Sequence, residues 1–458
     1  MDLIIRNGKV VLRDGIRWVD IGVKGGKIVT AGKRLGGTAK RVIDADGKLV
    51  LPGIIDAHVH FQLPVGGITT ADDFFSGTRA AACGGVTTVI DFAIQKKGRT
   101  LAEAVRSRRA EADGNIAIDY SLHAVPTDWS PRTRLEMRKL AALGITSFKM
   151  YMVYEGLRSG DVALFEALEE TSKFSGLVSV HAESVEILDM MIKRYHNRRD
   201  MRRYGAYCHA LSRPGFVEAE AISRAITWAR ATGGALYIVH MSTLEGREIV
   251  RRARRDGVKV FAETCPHYLL LDDSVFKRKD GHLFATCPQV KKQADSEALW
   301  EGIKTGDIQV VATDTCTFTQ KQKDRWRGDF TKIPYGLPGV ETLLPLLHTY
   351  GVVEKRITLR RMVEVLCENP ARLMGLYPRK GAIAAGSDAD LVIFDPDKKV
   401  TVSHENLQTN CDWSPYEGFR LTGYPEITIS RGRVVAESGR FVGWPGHGRF
   451  VRRAAPVL

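Results

Sequence analysis

Pro52-Gly53-Ile54-Ile55-Asp56-Ala57-His58-Val59-His60 marks the point where the texture of the chain changes. It reads as an apolar β run ending in two histidines. Alternate residues of a strand share a face, so His58 and His60 point the same way. Paired imidazoles on one face suit a transition metal. Downstream, short β-rich runs alternate with helical ones, the pattern of a parallel sheet with crossover helices. The runs fall at 53–61, 85–92, 118–125, 145–152, 176–181, 235–241, 258–264 and 307–314. Eight strands with intervening helices is the count of a (β/α)8 barrel. The helix expected over 216–232 places Val217, Ala221, Ile222, Ala225, Ile226 and Ala229 on one stripe.

Upstream of Pro52 the chain has a different character. Short β runs at 2–6, 10–12, 19–23, 27–30 and 41–44 are separated by glycine-containing turns, which suggests a small β-sandwich. The same texture returns past Gly381, at 389–394, 426–430 and 433–437. The expected architecture is therefore an α/β barrel at 53–380, with a discontinuous sandwich built from 1–52 and 381–445. The arginine-bearing tail at 446–458 reads as an extension packing elsewhere, another subunit being one option.

A chain of 458 residues with 44% hydrophobic and 26% charged residues has the composition of an ordinary globular enzyme. Its net charge of +14 raises the question of nucleic acid. The arginines at 194–203 and 251–255 lack interleaved aromatics or a zinc-finger pattern, and the second group falls on an amphipathic helix. No nucleic-acid partner is expected. The start lacks the basic and apolar regions of a signal peptide, and no apolar run approaches the roughly 20 residues of a membrane span. Seven scattered cysteines, with no CxxC pair, argue for a reducing cytoplasm rather than a disulfide framework.

Barrel enzymes place their chemistry at the C-terminal strand ends. Those ends carry His58 and His60, Asp91, His123, Lys149, His181, His240 and Asp314. A lone histidine ending an apolar run is more often a satisfied core residue. His181 and His240, in register with the HxH pair and a mid-strand lysine, reverse that preference. Lys149 interrupts an otherwise uncharged strand, where an ammonium is costly. Either it snorkels out or pairs with a carboxylate, or it is neutral long enough to take up CO2 as a carbamate bridging two metals. In the second case the charges balance well. Two divalent cations against a carbamate, the Asp314 carboxylate and a hydroxide leave one positive charge, which suits oxyanion stabilisation. Asp314 could bind a metal and exchange a proton. Asp91 and His123 read as supporting or packing residues.

These residues resemble the amidohydrolase superfamily, in its hydantoinase/dihydropyrimidinase branch. The resemblance spans nearly the whole chain. It rests on residues 52–60, Ser147-Phe148-Lys149, His181-Ala182-Glu183, Gly-Leu-Pro-Gly-Val-Glu at 336–341, Gly-Ser-Asp-Ala-Asp-Leu-Val at 386–392 and Tyr416-Glu417-Gly418-Phe419. It implies a hydrolase that opens the cyclic amide of hydantoins or dihydropyrimidines to N-carbamoyl amino acids. Two divalent ions are implied, zinc first, with manganese, cobalt or nickel compatible with the same donors. His58, His60, carboxylated Lys149 and Asp314 would surround one ion, and Lys149, His181 and His240 the other. A bridging hydroxide would attack the carbonyl and Asp314 would pass its proton to the leaving nitrogen. Tyr154 matches the tyrosine that supports the oxyanion, and backbone groups at Cys287 and Tyr335 match those gripping the imide. A homotetramer is also implied.

Three departures stand out. The family's Asp-His-Cys reads Asp314-Thr315-Cys316, its Ser-Pro-Pro reads Cys287-Pro288-Gln289, and its Pro-Asn-Gly reads Pro334-Tyr335-Gly336. Residues 155–160 lack the usual aromatic and, with Leu63-Pro64-Val65, are expected to line the pocket for the ring substituent. Dihydroorotase would need an arginine after the HxH pair, where this chain has Phe61-Gln62. Allantoinase is the enzyme alternative. The non-catalytic scaffold relatives have lost the metal ligands, whereas all six positions are filled here.

Overall fold

Eight strands run parallel in chain order: β1 (Ile54–Asp56), β2 (Val86–Ile94), β3 (Asp119–Val125), β4 (Ser147–Tyr151), β5 (Leu177–His181), β6 (Ala235–Ile238), β7 (Val260–Thr264) and β8 (Val310–Val311). They are seen in a computed structural model that describes residues 1–457. All eight expected runs are present, but the first and last are much shorter as ladders. Beyond Asp56 and Val311 the backbone hydrogen-bonds to side chains instead: Thr313 N and Oγ1 both donate to Asp56, at 3.1 and 2.5 Å. The barrel closes through a bridge between Val59 and Thr315, where His60 N donates to Thr315 O at 2.8 Å.

The crossover helices follow from their stripes and caps. In the helix Gly215–Thr232 all six residues of the expected stripe are buried. The helix Leu101–Ala112 starts on a Thr100/Glu103 capping box, which satisfies two orphan N–H groups. The arginine-rich helix Leu244–Arg255 buries Val250 and Ala253 and leaves Arg252 and Arg255 in solvent, so that cluster is a solvated face.

Both chain ends contribute to one nine-stranded sheet. Leu3–Leu12 pairs with Gly15–Lys24 and, in parallel, with Leu49–Pro52. Leu49–Pro52 then pairs antiparallel with Leu391–Thr401, which joins the two ends. Leu3, Ile5, Val10, Ile21, Val50 and Leu391 belong to a core separate from the barrel's main core. The two runs expected at 2–6 and 10–12 are a single strand. Its register shifts between Ile5 and Gly8, where Asn7 adopts a φ of 56°.

The tail is not an outward extension. Arg449 O accepts from Tyr120 N, and Val451, Arg453 and Ala454 donate to Tyr120, Gly144 and Gly375 of the same chain. Val451 is fully buried in a cluster with Ile55, Ile90, Leu177 and Val310, and Phe450 meets Tyr120 edge-on at 5.5 Å. The tail therefore closes the bottom of its own barrel, drawn there by two apolar side chains and by strand ends that need backbone partners. No described helix is long and apolar enough to cross a membrane.

Candidate metal centre

His58, His60 and Asp314 lie together at the C-terminal end of the barrel, one ligand atom of each within 4.8 Å of the others and all three residues buried. Asp314 Oδ1 is 3.1 Å from His58 Nε2 and 3.2 Å from His60 Nε2. His181 Nδ1 faces His240 Nε2 at 3.0 Å, and the His240 ring is 5.4 Å from that of His58. Lys149 is buried among them, its ammonium over the rings of Phe92 and Tyr151. No salt bridge reaches it among the described residues. Thus all six sequence-derived positions converge.

Two of the four rings are held from the other side. His58 Nδ1 pairs with Glu263 Oε1 at 2.7 Å, and His181 Nε2 with Glu183 Oε2 at 2.8 Å. Such carboxylates fix which nitrogen is free to donate a lone pair. Glu263 is itself held by Tyr237 Oη at 2.8 Å and His240 N at 3.2 Å, and Glu183 accepts from Arg213 at 2.8 Å. Phe92 packs flat against His60 and His123 at 4.6 and 4.8 Å. His123 spends both ring nitrogens on Ser147 and Ala57, and Asp91 accepts from Phe61, Phe92 and Arg108, so neither faces the centre with a free donor.

Electrostatics favour cations here. Burial holds the imidazoles of His58, His181 and His240 below their ordinary pKa, leaving them neutral with lone pairs available. Burial pushes Lys149 down to about 8, against the pull of Asp314 and Glu263. Although burial opposes it, the Asp314 carboxyl is held well below the usual range, His58 and His60 being the main causes. His240 Nδ1 and His60 Nδ1 are buried without hydrogen-bond partners. A set of neutral imidazoles, an ionised carboxylate and a lysine of lowered basicity fits divalent metal.

Two of these residues reach the centre at a conformational cost. His240 has φ 38° and Asp314 φ 50°, just past the ends of β6 and β8, and Tyr154 has φ 76°. The left-handed region costs a non-glycine residue on the order of 1–3 kcal/mol, and such strain clusters at functional sites.

Beside the metal-suited cluster lies a second group. The Tyr154 ring meets His181 at 5.0 Å, and its hydroxyl is buried without a partner. The Arg213 guanidinium lies 5.4 Å from the Tyr335 ring and acts electrostatically on Cys287, Tyr154 and Tyr335 together. Gly336 N donates to Ala285 O at 3.0 Å, binding the two expected imide-gripping segments to each other. A Cβ on Gly336 would lie 2.3 Å from Cys316 O, so only glycine fits there. Thr315 ties the next loop to the strand end, its Oγ1 accepting from Gly339 N and Val340 N at 2.9 and 3.0 Å. Pro64–Val65 pairs with Ile68–Thr69 in an exposed hairpin.

Sequence reasoning passed over Glu263 and Arg213. The signal for Glu263 was present: a carboxylate in the apolar strand Val260-Phe261-Ala262-Glu263 is as anomalous as Lys149. Arg213 carried no such signal, because it precedes Pro214 in a loop and its partners are remote in sequence.

The profile of the amidohydrolase family matches residues 49–435. The chain belongs to the amidohydrolase family, in its hydantoinase/dihydropyrimidinase branch. It is 43% identical over 423 residues to a D-hydantoinase of Streptomyces coelicolor, covering 91% of this chain and 89% of the relative. Identity to a D-phenylhydantoinase of Escherichia coli is 40% over 466 residues, the full length of both. The crystal structure of a dihydropyrimidinase from Brevibacillus agri superposes with a TM-score of 0.97 at 36% identity, covering 100% of each chain.

Proposed function

We propose that this protein hydrolyses the cyclic amide of hydantoins or dihydropyrimidines to N-carbamoyl amino acids. The observation that carries the reading is the buried group of His58, His60 and Asp314 at the barrel's C-terminal end, with the His181–His240 pair and the buried Lys149 beside it. Full-length likeness to D-hydantoinases supports the substrate class.

His58, His60, Lys149 and Asp314 would hold one divalent ion, and Lys149, His181 and His240 a second, with zinc the first choice. Bound ions would supply Lewis-acid polarisation of the carbonyl and a water of lowered pKa. Lys149, in its neutral form, adds CO2 and loses a proton, giving a carbamate with two oxygen donors. The chain's own groups do the rest. Asp314 takes the proton from the attacking water and returns it to the ring nitrogen as the C–N bond breaks. The Tyr154 hydroxyl, which has no protein partner, donates to the carbonyl oxygen as negative charge develops there. Backbone groups at Cys287 and Tyr335 orient the imide, and residues 63–65 and 155–160 face its substituent. We further propose a homotetramer, and a division into 1–52 with 381–445, 53–380, and the tail at 446–458.

A parallel assay of hydantoin, a 5-aryl-hydantoin, dihydrouracil, allantoin and dihydroorotate, with and without chelation, tests the reading. Chelator-sensitive opening of the first three is expected. Opening of allantoin alone would move the assignment to a ureide hydrolase, and inactivity of the metal-loaded protein on all five would refute it.

A further inference from the structure

At the opposite end of the barrel from the metal-suited cluster, a cleft of about 810 Å³ opens between the sandwich and the N-terminal end of β3. We propose that this cleft binds a small phosphate ester. Its walls come from three separate parts of the chain. Lys27, Lys40 and Arg41 line one side, and Arg431, Arg433 and Arg449 the other.

A chain with a charge of +14 must carry basic surface somewhere, and a solvated face would be the simpler reading. Three observations favour a site. First, the cations converge on a concavity, where low-dielectric walls focus the field and strengthen anion binding. Second, the cleft's cations are incompletely neutralised. Arg433 and Arg449 are exposed and have no salt bridge among the described residues, whereas Lys40, Arg41 and Arg431 are paired with Asp2, Glu437 and Asp119 at 3.0, 3.8 and 3.1 Å. The acids at the floor are already taken. Lys380 Nζ contacts Asp119 at 2.6 Å and Asp390 at 2.5 Å, and Asp388 is shared by Lys27 at 2.6 Å and Arg379 at 2.9 Å. Third, His447 lines the cleft, is 7% exposed, and its Nε2 has no hydrogen-bond partner.

Guanidinium forks match phosphate oxygens in pairs, and two unpaired arginines suit a dianion better than a single carboxylate. Trp444, 50% exposed and edge-on to His447 at 4.9 Å, offers a flat apolar rim for the organic part of the ester. None of these residues belongs to the catalytic cluster, so occupancy here is separable from ring opening.

The test is a titration of the metal-loaded enzyme with AMP, followed by tryptophan fluorescence and calorimetry, with adenosine as the uncharged control. Saturable AMP binding below millimolar concentration is expected, with a fluorescence change that Trp444→Phe removes. Adenosine should not bind. The double variant Arg433→Ala/Arg449→Ala should weaken AMP at least tenfold while keeping the melting temperature, since both side chains are exposed. The proposal is overturned if the double variant binds AMP as tightly as the parent, or if adenosine competes equally. It is also overturned if the double variant changes the size of the assembly without changing AMP affinity, which would make the cleft a subunit contact.

Discussion

Lys149 concentrates the chemical argument in one side chain. A buried ammonium without a paired carboxylate is expensive, and here three imidazoles of neighbouring strands face the same space. A carbamate at that position would convert the liability into a ligand. Lys149→Ala should therefore remove bound metal, read by elemental analysis, together with activity. Full turnover with full metal content in that variant would end the carbamate proposal. Asp314 is the complementary case, a carboxylate kept ionised by two imidazoles. Asp314→Asn should fold normally and lose turnover by about 10²–10⁴, the usual worth of a positioned proton carrier. Near-normal rates would assign the proton to another group.

Strand ends decide which of these side chains can meet. The ladders of β1 and β8 stop early, at Asp56 and Val311, and the segments beyond them are tied by Asp56, Thr313 and Thr315. Thr315 is the joint: its carbonyl takes His60 N, and its hydroxyl takes the N–H groups of Gly339 and Val340. It therefore couples the HxH strand to the loop that carries Tyr335. Thr315→Val keeps the shape but strands the buried Val340 N–H, at roughly 1–3 kcal/mol, and the part-buried Gly339 N–H at less. KM should rise more than kcat falls, because the imide-gripping loop loosens while the cluster itself is intact. A variant with unchanged KM would show that the loop is held by other contacts.

At the scale of the molecule, two covers keep the barrel closed. The sandwich is assembled from chain ends more than 330 residues apart, joined where Leu49–Pro52 pairs with Leu391–Thr401. The tail seals the other gap, with Val451 plugging the base and Arg453 donating to Leu122 O at 2.5 Å. Burial pushes Arg453 down to about 9, which still leaves the guanidinium charged at neutral pH. Truncation after Gly448 would remove several backbone hydrogen bonds and the Val451 plug. On the order of 3–5 kcal/mol of stability should go with them. A melting curve measures this, and an unchanged midpoint would show that the tail rests on the base without supporting it.

The sequence by itself determined the eight-strand count and the separation of the barrel from a sheet built by both chain ends, and it placed His58, His60 and Asp314 at strand ends that meet. Strand periodicity of two and the C-terminal-face rule are local or fold-general, so they survive without coordinates. Only the tertiary structure decided which groups stand behind the candidate ligands. Glu263, Glu183 and Arg213 act through contacts across strands and loops, and residue spacing carries no record of those contacts. The same holds for Thr315, whose hydroxyl takes over loop contacts 24 and 25 residues away, and for the tail, whose binding place is set by which strand ends lack partners. Local pattern fixes what each segment wants to be. Long-range packing alone fixes which buried polar groups end up satisfying one another.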